Sequence, residues 1–249
     1  MSTHPWLTTM PRTPSGVRLF LFPHAGGAAS AYTRWLGLGG AALDVRSVQY
    51  PGRETRSRER PLSDLVELAD GLARAVAADG ADGSPCAFFG HSMGALVAFE
   101  TARRLRELGE RGPEHLFVAA CAAPQSPREP ALSTLSDERL SAWLVRQNPA
   151  VAEVLAHPEL AALVLPSVRA DLTAVEHYRL VPGPALDCPV TVLTGAQDTV
   201  HGTDVTGWKD HTTGDFRHHE FPGDHFFVQP SASALIALVR DLLVPHLGN

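Results

Sequence analysis

Three side chains far apart in this chain have the chemistry of an acyl-transfer site. Ser92 sits at the centre of Gly90-His91-Ser92-Met93-Gly94, a Gly-x-Ser-x-Gly pentapeptide. A serine hydroxyl is a weak nucleophile until a base takes its proton, and that base must be oriented by an acid. Asp198, closing Gly195-Ala196-Gln197-Asp198, and His225, in Gly223-Asp224-His225, follow Ser92 in the chain. With 12 histidines present, position must choose the base. His225 comes just after a predicted strand end. His218 and His219 lie within that strand, and His201 and His211 have no strand end immediately before them. His24 and His91 flank the site and read as structural hydrogen-bonding residues. Asp204 and Asp224 are alternatives to Asp198 as the acid.

The elements around these residues put them on one edge of a sheet. Cys86-Ala87-Phe88-Phe89 is a short apolar run suited to a buried strand, and Ala95 to Phe99 begins a helix reaching about Leu108. Strand, tight turn and helix make a nucleophile elbow, which lifts the serine hydroxyl to the top of the sheet. A side chain at Gly90 or Gly94 would collide with the facing element of that turn. Val17–Phe22 is another strand, running into the turn Pro23-His24-Ala25-Gly26-Gly27. Loops at strand carboxyl ends are where open α/β sheets bind ligands. The Ala25 and Met93 amides are therefore candidate oxyanion donors.

Further strands are expected at Asp44–Tyr50, His115–Cys121, Pro189–Thr194 and Phe216–Phe221, with helices at Leu62–Ala78 and Ser231–His246. This alternation predicts a mostly parallel sheet with helices on both faces, an α/β-hydrolase fold. Residues 1–249 read as one domain, with the polar segment Met1–Gly16 as a loose arm. Helical pieces at Ser136–Gln147, Pro149–His157 and Pro158–Arg179 form an insertion of about residues 133–180, read as a lid. Trp143, Leu155, Leu163 and Val164 are expected in its helix-to-helix core, or alternatively along an acyl channel.

Composition narrows the function. Of 249 residues, 44% are hydrophobic and 19% charged, with a net charge of -6, which gives no reason to expect a nucleic-acid partner. No basic leader with a long apolar core appears at the start, and no apolar run approaches the roughly 20 residues of a spanning helix. Cys86, Cys121 and Cys188 lack metal-ligand spacing and read as buried thiols in a reducing compartment, so the expected location is cytoplasmic.

Taken together, Phe22-Pro23-His24-Ala25-Gly26-Gly27, Tyr50-Pro51-Gly52-Arg53-Glu54, Gly90-His91-Ser92-Met93-Gly94, Gly195-Ala196-Gln197-Asp198 and Gly223-Asp224-His225-Phe226-Phe227 resemble the type II thioesterases of polyketide and non-ribosomal peptide biosynthesis. The resemblance implies hydrolysis of acyl thioesters on the phosphopantetheine arm of acyl or peptidyl carrier proteins. It assigns Ser92 as nucleophile, His225 as base, Asp198 as orienting acid, and Met93 and Ala25 as oxyanion donors. It implies no metal and no redox cofactor, and a monomer is expected. Carrier proteins are generally acidic, so a local basic patch would have to meet one: the loop from Arg53 to Arg60, or Arg103, Arg104 and Arg106. The Arg53–Arg60 run can equally be a solvated loop, or Arg53 an anchor beside the site. A stand-alone carboxylesterase, or an acyltransferase or cyclase, would use the same triad.

Overall fold

Six short runs form the sheet, apolar in the interior strands and more polar in the edge strands β2 and β6: β1 (Val17–Phe22), β2 (Leu43–Ser47), β3 (Cys86–His91), β4 (Leu116–Ala119), β5 (Val190–Gly195) and β6 (Phe216–Phe221). The computed structural model describes residues 4–8, 16–81, 83–127, 132–199 and 203–243. All six strands are parallel, in the order β2-β1-β3-β4-β5-β6. The helices are α1 (Thr33–Leu36), α2 (Leu65–Asp79), α3 (Met93–Glu107), α4 (Asp137–Gln147), α5 (Ala152–Ala156), α6 (Pro158–His177), α7 (Thr203–Thr206) and α8 (Ala232–Leu243).

Successive strand side chains point to opposite faces, and both faces are covered. Phe20, Phe22 and Phe88 pack with residues of α2 and α3. Leu19, Leu21 and Phe89 pack with Trp35 of α1 and with Leu235, Ile236 and Val239 of α8. Helix α2 starts where the Asp64 side chain accepts the Val66 and Glu67 N–H groups, and buries Leu65, Leu68, Ala69, Leu72 and Val76 on one stripe.

The chain leaves β1 for β2 on one side and returns to β3 on the other, so the crevice above β1 and β3 is the topological switch point. The loops following these two strands are the candidate oxyanion turn and the elbow.

Several boundaries differ from expectation. The second strand stops at Ser47, because Val48 bridges antiparallel to Leu7. Residues 4–8 are therefore not loose: Leu7 is buried, the Thr8 N–H donates to the Ser47 carbonyl, and the Gln49 N–H donates to the Trp6 carbonyl. The rest of the Met1–Gly16 arm, apart from Gly16, lies outside the described residues, as do His201 and the expected end of the last helix at His246.

Helices α4, α5 and α6 lie between β4 and β5, as the lid expectation has it. Their base is tied by the Ser133 N–H and hydroxyl, both donating to the Glu176 carboxylate. Leu140, Leu165, Val168 and Leu172 form their core, with Trp143, Leu155 and Val164 against it. Leu163 belongs to neither core nor channel: it is 70% exposed.

Candidate active site

Ser92 follows β3 and precedes α3 with φ 54° and ψ −120°, a left-handed backbone that costs a non-glycine residue of order 1–3 kcal/mol. The neighbouring glycines make this turn possible. A Cβ on Gly94 would overlap the Phe22 carbonyl of β1, and one on Gly90 would overlap the Ala95 backbone. The turn is held by the Ser92 N–H donating to the Ala119 carbonyl at 2.8 Å. Met93 is the first residue of α3, so its N–H belongs to the helix end that lacks an intrahelical acceptor. Ala25 is half-buried in the turn after β1 and packs against the core of the α4–α6 insertion.

Asp198 follows β5 and is 2% exposed. His225 follows β6, and its Nδ1–H donates to both carboxylate oxygens of Asp198, at 3.2 and 3.1 Å. That bond leaves Nε2 as the lone-pair nitrogen of the neutral ring. Two close approaches hold the pair together. A Cβ on Gly195 would overlap the Asp224 and Gly223 carbonyls, so glycine lets the acid loop lie against the base loop. The Gln197 N–H donates to the Gly223 carbonyl at 2.9 Å, and the Gly223 N–H donates to Gln197 Oε1 at 2.7 Å.

His225 starts three strands away from the elbow and is drawn back to it. The His91 Nε2–H donates to the His225 carbonyl at 2.7 Å, and His91 is the residue immediately before Ser92. The ring centroids of His91 and His225 are 5.4 Å apart, those of His24 and His91 5.1 Å, and Phe226 meets all three rings edge-on. Burial pushes His24 down to about 4, and burial together with the neighbouring imidazoles holds His91 well below the usual histidine range. Both are neutral at pH 7. Of these three adjacent imidazoles, His225 is the one facing a carboxylate.

The competing residues have other occupations. The Asp224 carboxylate caps its own turn, accepting the Phe226 N–H at 2.8 Å. His218 lies in β6 beside Thr194 at 2.9 Å, and His219 is in the same strand, opposite Leu193. His211 pairs with Gln125 and packs on Phe99 and Trp208. Asp204 is in α7.

Most of the arginines expected to meet a partner are engaged with other residues of the chain, Arg53, Arg56 and Arg103 in its interior and Arg104 and Arg106 at its surface. Arg53 is 7% exposed and forms a two-pronged pair with Asp171 of α6, at 2.6 and 2.8 Å. Arg56 is buried, donating to the Gln49 carbonyl and to Glu59, with its guanidinium 4.3 Å over the Trp6 ring. Arg103 is buried against Glu100, Arg104 pairs with Asp70 and Glu107, and Arg106 donates to the Pro184 and Ala185 carbonyls. Arg58 and Arg60 remain exposed.

Two residues at the site escaped the sequence reading, Gln197 and Asp171. Gln197 carries no signal beyond its place in the acid loop. Asp171 does carry one: it is an acidic residue on the stripe that buries Leu165, Val168 and Leu172, where a carboxylate must have a buried partner.

A family model described as a thioesterase domain matches residues 17–243. A probable cadicidin biosynthesis thioesterase of Streptomyces griseus is 38% identical over 236 residues, 94% of this chain and 64% of that protein. The gramicidin S biosynthesis protein GrsT of Aneurinibacillus migulanus is 36% identical, over 88% of this chain and 86% of the relative. The solved structure of BorB, a type II thioesterase from the borrelidin biosynthetic cluster, superposes with a TM-score of 0.86 at 36% identity, covering 99% of this chain and 98% of that one.

The chain belongs to the thioesterase family. It is a hydrolase acting on thioesters, with the fold of the type II enzymes of biosynthetic clusters. This thioesterase has no helix, among the described residues, long and apolar enough to cross a membrane.

Proposed function

We propose that this thioesterase removes acyl groups from the phosphopantetheine arm of acyl or peptidyl carrier proteins, through an acyl-enzyme on Ser92. The Ser92 hydroxyl attacks the thioester carbonyl while His225 Nε2 takes its proton, and Asp198 stabilises the imidazolium through Nδ1. The Ala25 and Met93 N–H groups receive the developing oxyanion. Collapse breaks the C–S bond and expels the thiolate, which takes the proton from the His225 imidazolium. Water, deprotonated by the same imidazole, then attacks the acyl-serine and releases the free acid.

The observation that carries this reading is the pairing of His225 with Asp198, with the His225 backbone bonded to the residue next to Ser92. The strained turn at Ser92 supports the nucleophile's role. The relatives' descriptions, which speak of gramicidin S and borrelidin biosynthesis, favour a carrier-bound substrate over a free ester. Three buried free cysteines suit work in a reducing cytoplasm, where one chain acts as a monomer.

The test loads a carrier protein with acetyl- and longer acyl-phosphopantetheine and follows deacylation by intact-protein mass spectrometry, for wild type and Ser92→Ala. Rapid Ser92-dependent release, with poor turnover of a nitrophenyl ester, is expected. An untouched carrier with good ester turnover would move the protein to the carboxylesterases. Transfer of the acyl group to an added alcohol or amine in place of water would make it an acyltransferase.

A further inference from the structure

The turn after β1 closes on itself through the Gly27 N–H donating to the His24 carbonyl at 2.8 Å, and side chains from far along the chain add to that hold. Its Ala25–Gly26 peptide is gripped at both poles: the His24 Nδ1–H donates to the Ala25 carbonyl at 2.9 Å, and the Gly26 N–H donates to Asp171 Oδ2 at 2.7 Å. Asp171 lies 145 residues further along the chain, in α6 of the helical insertion, and is completely buried. The same carboxylate binds Arg53 with both oxygens, and Arg53 Nη1 also donates to the Gly27 carbonyl at 3.0 Å. Burial pushes the Asp171 carboxyl upward, against the pull of the Arg53 guanidinium and the Gly26 N–H. Gly26 has φ +76°, and a Cβ there would press on Val168 of α6. The segment before Arg53 adds to the hold, since Tyr50 donates its hydroxyl to the Pro23 carbonyl.

We propose that Asp171 is a positioning residue for the oxyanion hole: by fixing the Ala25–Gly26 peptide it aims the Ala25 N–H at the substrate carbonyl, so the hole is complete only while α6 is seated on the turn. The inference rests on the role given above to Ser92 and Ala25. Asp171 touches no reacting atom. Its effect runs through the plane of one peptide, which sets the direction of the N–H group one residue earlier. An oxyanion donor stabilises charge that develops in the transition state, so its misplacement lowers kcat more than it changes ground-state binding.

The experiment measures kcat and KM on a small acyl-N-acetylcysteamine thioester, with thermal melting of each variant. Asp171→Asn should lower kcat about 10- to 100-fold with KM within about threefold. That substitution leaves Arg53 buried without its counter-charge, so loss of folding is a competing cause. The double variant Asp171→Leu/Arg53→Met separates the two. It replaces the ion pair with apolar bulk, which commonly preserves or raises stability, yet supplies no acceptor for the Gly26 N–H. A double variant that melts like wild type and stays slow supports the proposal. One that melts like wild type and turns over like wild type overturns it, because Asp171 would then serve only to neutralise the buried Arg53. Wild type without Ser92-dependent turnover would overturn the catalytic reading and this inference with it; an active wild type with unimpaired variants overturns this inference only.

Discussion

Two buried aspartates serve opposite sides of the site, and they differ in what they hold. Asp198 faces a half-buried imidazole that can gain and lose a proton. Asp171 faces a buried guanidinium that stays protonated, and a backbone N–H. Under the proposed mechanism the first pairing receives the proton from Ser92, while the second, set between a guanidinium and a backbone N–H, fixes geometry. The contrast shows that the meaning of a buried carboxylate is set by the titration of its partner, and burial alone does not reveal it.

The sharpest way to break this comparison is to neutralise the acid on the titrating side. Asp198→Asn should lower kcat by about 10⁴-fold with little change in KM or melting temperature. A loss no larger than that of Asp171→Asn would mean that Asp198, too, acts only through geometry.

Acid should act on the two imidazoles beside His225. His24, lowered to about 4, and His91, also lowered, stay neutral in the folded protein while their unfolded counterparts take up protons below about 6.5. The unfolded state therefore binds more protons in this window, and stability falls as pH drops through it. His24 alone should contribute a loss of about 2 kcal/mol by pH 5. Urea midpoints at pH 5 and pH 7 read this directly. Equal midpoints would show that neither ring is held neutral by burial.

A backbone change comes next. Gly195→Ala places a methyl against the Asp224 carbonyl, so the base loop must shift. We expect a stability loss of about 1–3 kcal/mol and a weakened His225–Asp198 contact. Unchanged melting would mean that the two loops have room to part. The smallest effect is expected at the surface. Arg58→Ala and Arg60→Ala should together raise KM for a carrier-bound substrate by a few-fold and leave a small thioester unaffected. An equal effect on both substrates would remove this loop from docking.

Much of the site was legible because its requirements are local. Gly90 meets the Ala95 backbone within its own turn, and Asp198 follows a strand whose apolar run is plain, whereas β6 before His225 is polar between its two terminal phenylalanines. Arginine roles were less legible, because a run of charges looks alike whether solvated or buried. Arg53, Arg56 and Arg103 differ from Arg58 and Arg60 only in partners from elsewhere in the chain. Leu163 shows the same limit from the apolar side: it was expected in the core or along a channel, while its neighbours Val164 and Leu165 took the core. The docked segment 4–8 carried no periodic pattern, since a single bridge and a few backbone bonds hold it.

The bonds that finish the site also have the longest spans. His91 to His225 reaches across 134 residues, Gly26 to Asp171 across 145, and Arg53 to Asp171 across 118. Contacts so distant along the chain are slow to find one another, because the entropy of closing each large loop is lost before the bond forms. A nascent chain can build β1, α2, β3 and α3 from nearer neighbours while His91 still lacks its bond to His225 and Gly26 its bond to Asp171. Under the proposed mechanism, reactivity therefore waits on β6 and the His225 loop that follows it.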